Sequence, residues 1–165
     1  HHADGLDFQG RCRMAEVLIL LGSKSDLKYG EKCQATLEEL KISNQLEISS
    51  AHREPEKTAE LASTAQEKGT RVIICMAGMS AALPGVAASK TRLPVIGVPL
   101  SGSALSGLDS MFSVVQMPKG VPVGAVALDS HGAVNSALLA ARIIALSDPD
   151  VYNRIDAYLE NMKKK

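Results

Sequence analysis

The sequence predicts an α/β fold: a three-layer, doubly wound parallel sheet of about five strands, with helices on both faces and an extra helix at the C-terminus. Three observations predict it. Val17-Leu18-Ile19-Leu20-Leu21 and Val72-Ile73-Ile74-Cys75-Met76 are apolar without alternation, the pattern of strands buried on both faces in a parallel sheet. Strand patterns alternate along the chain with helical ones, as in βαβ units. Three loops rich in Gly, Ser and Ala each follow a strand, where open α/β sheets bind ligands.

The first strand is read over 16–21. Gly22-Ser23-Lys24-Ser25-Asp26 follows, then a helix over about 26–40. Ser25 is its expected N-cap, and Asp26 suits the positive end of the helix. This loop is either a plain capped turn or a phosphate-binding turn. It lacks both the P-loop pattern and the dinucleotide fingerprint. A second strand is expected over 45–49. Ser50-Ala51-His52-Arg53-Glu54-Pro55 then turns into a second helix, expected over 55–68 and stopped by Gly69. Pro55 fits the first helical position, where its missing N–H costs nothing.

The third strand is expected over 71–76, and Ala77-Gly78-Met79-Ser80-Ala81-Ala82-Leu83-Pro84-Gly85 follows it. Its small residues let backbone approach a ligand. A short helix over 86–90 leads to a fourth strand, 95–98, between two prolines. Ser101-Gly102-Ser103-Ala104-Leu105 is the third loop. Ser106-Gly107-Leu108-Asp109 reads as a capping-box start, and Leu108, Met111, Phe112 and Val115 form an apolar stripe. A fifth strand is expected over 123–128. The helix over 132–146 is apolar nearly all round, hence buried on most sides or in a subunit interface. A last, amphipathic helix runs to about Asn161.

The 165 residues suit one domain, taken as 14–165, with 1–13 read as an expression tag. Beyond it, Cys33 and Cys75 are too few and too far apart for a disulfide framework or zinc site. Both fit a reduced, cytoplasmic setting. No apolar run approaches a membrane span. Formal net charge is zero, with no basic stripe before Lys163-Lys164-Lys165, which argues against a nucleic-acid surface. Trp is absent, and Phe112 is the only Phe beyond the tag. Small aliphatic residues must therefore fill the core, and association with other subunits would add burial.

Beyond the tag there are two histidines, His52 and His131. His52 ends up beside Arg53 at a strand-to-helix turn. Histidine titrates near neutral pH, and the arginine fork matches phosphate oxygens. His131 is read as a helix-start residue, with a second proton carrier as its other reading. A response-regulator role would need an acidic acceptor after the third strand, where Met76-Ala77-Gly78 stands. A flavin carrier would need aromatic rings on loops that have none.

Five motifs, in order and on the expected loops, resemble one family. They are Gly22-Ser23-Lys24-Ser25-Asp26, Ser50-Ala51-His52-Arg53-Glu54-Pro55, Leu83-Pro84-Gly85, Leu105-Ser106-Gly107-Leu108-Asp109-Ser110 and Val115-Gln116-Met117-Pro118-Lys119-Gly120. The family is N5-carboxyaminoimidazole ribonucleotide mutase, the catalytic subunit of phosphoribosylaminoimidazole carboxylase. The likeness runs from Val17 to about Leu146 and agrees with a flavodoxin-like sheet. It implies a purine-biosynthetic enzyme that moves a carboxyl group from an exocyclic nitrogen to a ring carbon of a nucleotide monophosphate. It implies no metal and no organic cofactor.

The resemblance further implies His52 as the catalytic histidine, with Ser23, Asp26 and Arg53 as substrate-binding positions. Arg53 and the Ser23 loop would hold phosphate, and Asp26 would accept from ribose hydroxyls. Ser50, Gly78, Ser80, Ala81 and Leu83 are the further implied substrate contacts. The family is octameric, with its last helix reaching a neighbour. One departure stands out: many of these mutases carry a second histidine directly before Leu-Pro-Gly, where this chain has Ala82. A related branch carboxylates aminoimidazole ribonucleotide directly with carbon dioxide, and that is the alternative activity. A non-catalytic nucleotide-binding module is the remote one.

Overall fold

The computed structural model describes residues 15–165. The tag reading of 1–13 lies outside them. The elements are β1 (Val17–Leu21), a 3-10 turn (Lys24–Asp26), α1 (Leu27–Glu39), β2 (Asn44–Ile48), α2 (Pro55–Thr64) and β3 (Val72–Gly78). Then come α3 (Leu83–Lys90), β4 (Val95–Leu100), α4 (Leu108–Val115), β5 (Gly124–Ala125), α5 (Asp129–Ala145) and α6 (Pro149–Met162). The five strands form one sheet of order β2-β1-β3-β4-β5. Every pairing is parallel. This is the flavodoxin-like strand order, as expected.

The unbroken apolar runs follow from two-sided burial. Side chains alternate between faces along a strand. Val17, Ile19 and Leu21 of β1 join Val72, Ile74 and Met76 of β3 in the core layer under α1, α5 and α6. Leu18, Leu20, Ile73 and Cys75 point the other way, into the layer under α2, α3 and α4. Among the described residues, no aromatic side chain is in the buried core. Close packing of small residues takes their place. A Cβ on Gly30 of α1 would stand 2.6 Å from Leu46 Cδ1 and 2.8 Å from Leu21 Cδ1, so α1 lies close enough to the sheet that any larger residue there would have to displace both leucine side chains.

Several boundaries differ from expectation, each for a local reason. The cap of the first helical segment is Ser23, whose side chain accepts from the Ser25 N–H, so Ser25 is capped rather than capping. The α-helix of α2 stops at Thr64, and the remaining residues to Gly69 (φ 95°) are turns. Helix α3 starts at Leu83, because Pro84 occupies a first-turn position that needs no N–H. No capping box forms at α4: Gly107 precedes it at φ 89°, Ser106 is at φ 54°, and neither caps with a side chain. The expected apolar stripe on α4 faces outward. Leu108, Phe112 and Val115 are each more than half exposed, while Ser110 and Val114 are buried.

β4 continues through Pro99, paired with Ala77 of β3, and β5 shrinks to two residues. These two findings have one cause. The Gly97 carbonyl accepts from Val126 N–H, so alternate residues 97, 99 and 101 turn their backbone groups to the β5 side. Pro99 has no N–H to offer, and β5 has already ended there at the Gly97–Ala125 pair. No ladder bond is lost.

Candidate functional site

The strand-end loops enclose one cavity of about 580 Å³ at the carboxyl edge of β1, β2 and β3. It lies where the strand order reverses between β1 and β3, the switch point of an open α/β sheet. His52, Ser23, Asp26, Ser50, Arg53, Gly78, Ser80, Ala81 and Leu83 all line it. The sequence-derived set is thus brought together without exception. Ala82 also lines it, so the missing imidazole would have stood in this space. His131 lies elsewhere, exposed in the first turn of α5.

Three loops build the walls. After β1, Gly22 N–H bonds to the Met76 carbonyl at 3.1 Å, tying this loop to β3. Ser23 Oγ accepts from Ser25 N at 3.3 Å and from the Ser25 hydroxyl at 3.1 Å. These bonds hold the 3-10 turn and set Asp26 at the mouth of α1. After β2, Ser50 staples the next turn. Its hydroxyl accepts from Arg53 N at 3.2 Å and its carbonyl from Glu54 N at 2.8 Å. Just beneath, the buried Ser49 and Thr58 hydroxyls share a 2.7 Å bond. Lys57 Nζ donates to the Ile48 carbonyl at 2.7 Å. His52 and Arg53 project exposed side chains from a well-anchored turn. After β3, Met79 takes φ 53°, and Ala81 N–H closes on the Met79 carbonyl at 2.9 Å. That tight turn brings Ser80 and Ala81 to the cavity.

Lys28, Tyr29 and Gly102 also line the cavity and were missed. Lys28 and Tyr29 lie on α1 within a turn of Ser25 and Asp26, so helical spacing was the available signal. Lys28 Nζ sits 4.9 Å from the Tyr29 ring centroid. Gly102 belongs to the third glycine-serine loop, and its Cβ position meets nothing within 4 Å.

The electrostatics are mixed. His52, Arg53 and Lys28 make the rim basic, and Asp26 is the carboxylate inside it. Burial pushes the Asp26 pKa up, opposed by hydrogen bonds from the Ser23 main chain and the Ser25 side chain. A carboxyl raised in the folded state contributes stability that is full below its unfolded pKa and lost as pH rises through the folded value. The ionised Asp26 is therefore a destabilising charge at neutral pH. Asp26→Asn is expected to melt higher than the parent at pH 7, with the gap closing below about pH 4. Calorimetry at the two pH values checks this. A variant no more stable at pH 7 would mean that the two serine bonds already offset the burial cost.

Neither of the two described cysteines, Cys33 and Cys75, supplies chemistry. Burial pushes the Cys33 thiol up to about 12 and the Cys75 thiol higher still, so neither forms a reactive thiolate. Among the described residues, no group of three or more His, Cys, Asp or Glu side chains is placed to hold a metal ion. No helix among them is long and apolar enough to cross a membrane.

A cavity at the switch point, with a carboxylate on the loop after β1 and a histidine and an arginine on the loop after β2, suits an anionic nucleotide and proton transfer. Comparison with known proteins agrees. A family model described as AIR carboxylase matches residues 16–165. The N5-carboxyaminoimidazole ribonucleotide mutase of Haemophilus influenzae is 46% identical over 90% of this chain and 91% of its own. The protein of the same name from Pyrococcus horikoshii is 48% identical over 89% of this chain and 82% of its own. The crystal structure of Treponema denticola PurE superposes with a TM-score of 0.81 at 29% identity, covering 90% of this chain and 91% of that one. With nearly all of its described length matched in sequence and its sheet matched in space, the chain belongs to the AIR carboxylase family.

Proposed function

We propose that this protein converts N5-carboxyaminoimidazole ribonucleotide to 4-carboxyaminoimidazole ribonucleotide, a carboxyl transfer of purine biosynthesis. One observation carries the reading. His52, Arg53, Ser23 and Asp26 share a single cavity in a chain whose relatives bear the mutase name.

The roles follow from chemistry. Arg53 and the Ser23 loop bind the phosphate by charge-assisted bonds. Asp26, ionised, accepts from the ribose hydroxyls. Ser50, Gly78, Ser80, Ala81 and Leu83 form the walls around the base. His52 in its protonated form gives its proton to the exocyclic nitrogen as the nitrogen–carboxyl bond breaks. Carbon dioxide and aminoimidazole ribonucleotide then share the pocket. The ring carbon attacks the carbon dioxide, and neutral His52 removes the proton from that carbon. The proton is returned, so no net acid or base is consumed. An imidazole suits both halves because its ordinary pKa lies near the working pH. Retaining carbon dioxide requires a pocket closed to water, with the Gly78 to Gly85 loop as its wall. The chemistry calls for no metal or organic cofactor.

We further read the protein as a cytoplasmic homo-octamer without nucleic-acid or membrane partners. The outward Leu108, Phe112 and Val115 support burial against neighbouring subunits.

Ala82 favours a second reading, direct carboxylation of aminoimidazole ribonucleotide by carbon dioxide. A paired assay separates the two. One arm supplies N5-carboxyaminoimidazole ribonucleotide without bicarbonate, and the other supplies aminoimidazole ribonucleotide with carbon dioxide. Fast conversion in the first arm is expected. Conversion only in the second would make the protein a direct carboxylase. Inactivity in both would leave a nucleotide-binding module.

A further inference from the structure

The last residues of β4 carry the cavity wall away from the sheet. Leu100 and Gly102 both line the cavity. On the β3 side, Leu100 is paired with Gly78, the last pair of that ladder. On the other side there is no strand, because β5 ends opposite Gly97. Ser101 has its backbone turned to that empty side, by the same alternation that places Pro99 there harmlessly. A buried or half-buried N–H without a partner is costly, and the strand that would satisfy it is absent.

Asp129 takes its place. Its Oδ1 accepts from the Ser101 N–H at 2.9 Å, and its Oδ2 accepts from the Ser101 hydroxyl. A carboxylate receiving both donors of one residue fixes that residue in position and direction. Two lesser ties flank it. The Ser110 hydroxyl donates to the Leu100 carbonyl at 2.7 Å, and the Ser103 hydroxyl to Asp109 Oδ1 at 2.8 Å. The segment from Leu100 to Ser103 is thus held by side chains, where a longer β5 would have held it by backbone.

Asp129 is also in a backbone conformation that L-residues avoid, φ 54°. Aspartate tolerates it better than most, but glycine would occupy it without strain. The backbone conformation alone would favour glycine here. A strained residue persists where the surroundings demand its side chain, and such residues cluster at functional sites. Here the demand is the Ser101 pair, one residue from the cavity lining.

We propose that Asp129 is a positioning residue for the carboxyl transfer: through Ser101 it holds the Leu100–Gly102 wall of the substrate cavity in its productive place. The proposal rests on the functional reading above. Asp129 touches no reacting atom; it acts through Ser101. A wall displaced by an ångström lowers the rate by misplacing the reacting groups.

The test uses the full-length chain and two variants. Asp129→Gly removes both acceptors and relieves the backbone. Asp129→Asn keeps one oxygen for the Ser101 N–H. In the glycine variant the relieved backbone offsets much of the lost Ser101 bonding, so its melting temperature is expected to stay within a few degrees of the parent's while kcat/KM falls about 10- to 100-fold. The asparagine variant should recover a large part of that loss. Amide exchange at Ser101, Gly102 and Ser103 should quicken about tenfold or more in the glycine variant, with the amides of β1 and β3 unchanged. Unchanged kinetics in the glycine variant would overturn the proposal, as would slowed kinetics with unchanged exchange in the loop. A parallel fall of melting temperature and rate in both variants would make Asp129 merely structural. A parent protein inactive on both substrates of the paired assay would instead overturn the functional reading, and with it any catalytic consequence of Asp129. Loop exchange would then report the anchoring alone.

Discussion

His52→Asn is expected to lower kcat by about 10²–10⁴-fold with a much smaller change in KM. Asparagine can hydrogen-bond a substrate nitrogen but cannot carry a proton to it or take one from carbon. The loss should fall on chemistry because His52 has no visible structural duty. Its side chain is exposed, and among the described residues it makes no hydrogen bond. The turn that carries it is held by Ser50, Ser49, Thr58 and Lys57 instead. The variant should therefore melt with the parent, and it should still bind the nucleotide through Arg53, Ser23 and Asp26. Steady-state rates, calorimetric binding and a thermal scan on the same preparation decide it. A variant retaining more than a tenth of the parent's kcat would remove His52 as the proton carrier. A variant that neither binds nor turns over would point to a binding role. The absence of an imidazole at Ala82 sharpens the expectation, since among the described residues no second histidine lines the cavity to take over the proton.

Gly132→Ala is expected to destabilise the fold by about 3 kcal/mol, the upper part of the overpacking range. In an ordinary helix the same change would stabilise by about 0.5–1 kcal/mol. The sign reverses because of one contact. A Cβ on Gly132 would stand 1.7 Å from the Ala127 carbonyl oxygen and 2.8 Å from Val98 Cγ1. The first obstacle is backbone, so it cannot rotate away. Relief requires α5 to lift from the short connection between β5 and α5. That helix supplies Ala133, Ala137, Ala140, Ala141 and Ile144 to the core layer it shares with β1, β3 and β4. For a chain of this size the melting temperature should drop by about 6–12 °C. Gly102→Ala is the internal comparison, because its Cβ would meet nothing within 4 Å. Its melting temperature should stay near the parent's. Equal melting of the two variants would refute the steric account.

The two predictions draw on different levels of the molecule. The position of His52 was legible in sequence, because a strand-to-helix turn carrying His and Arg is a local pattern; its expected role came from the family resemblance. The obstacle at Gly132 was not, because Gly132 and Ala127 meet only when the chain doubles back from β5 into α5. The Asp129–Ser101 pair was equally hidden, spanning 28 residues between the start of α5 and the loop after β4.

By itself the sequence determined the sheet, its parallel character and the gathering of the site. Unbroken apolar runs report two-sided burial residue by residue, and small-residue turns after three of the strands report where backbone can approach a ligand. Both are one-dimensional signals of short-range physics. Tertiary structure alone decided the rest. It settled which side of α4 faces out, since Leu108, Phe112 and Val115 form a periodic stripe that suits the core as well as a subunit contact. It settled the length of β5, because a strand lasts only as far as its neighbour offers hydrogen bonds. It recruited Lys28, Tyr29 and Leu100 to the cavity, because the packing of α1 and β4 sets what stands beside a loop. And it placed an aspartate where glycine would be more relaxed, because the Ser101 N–H, left without a strand, needed an acceptor.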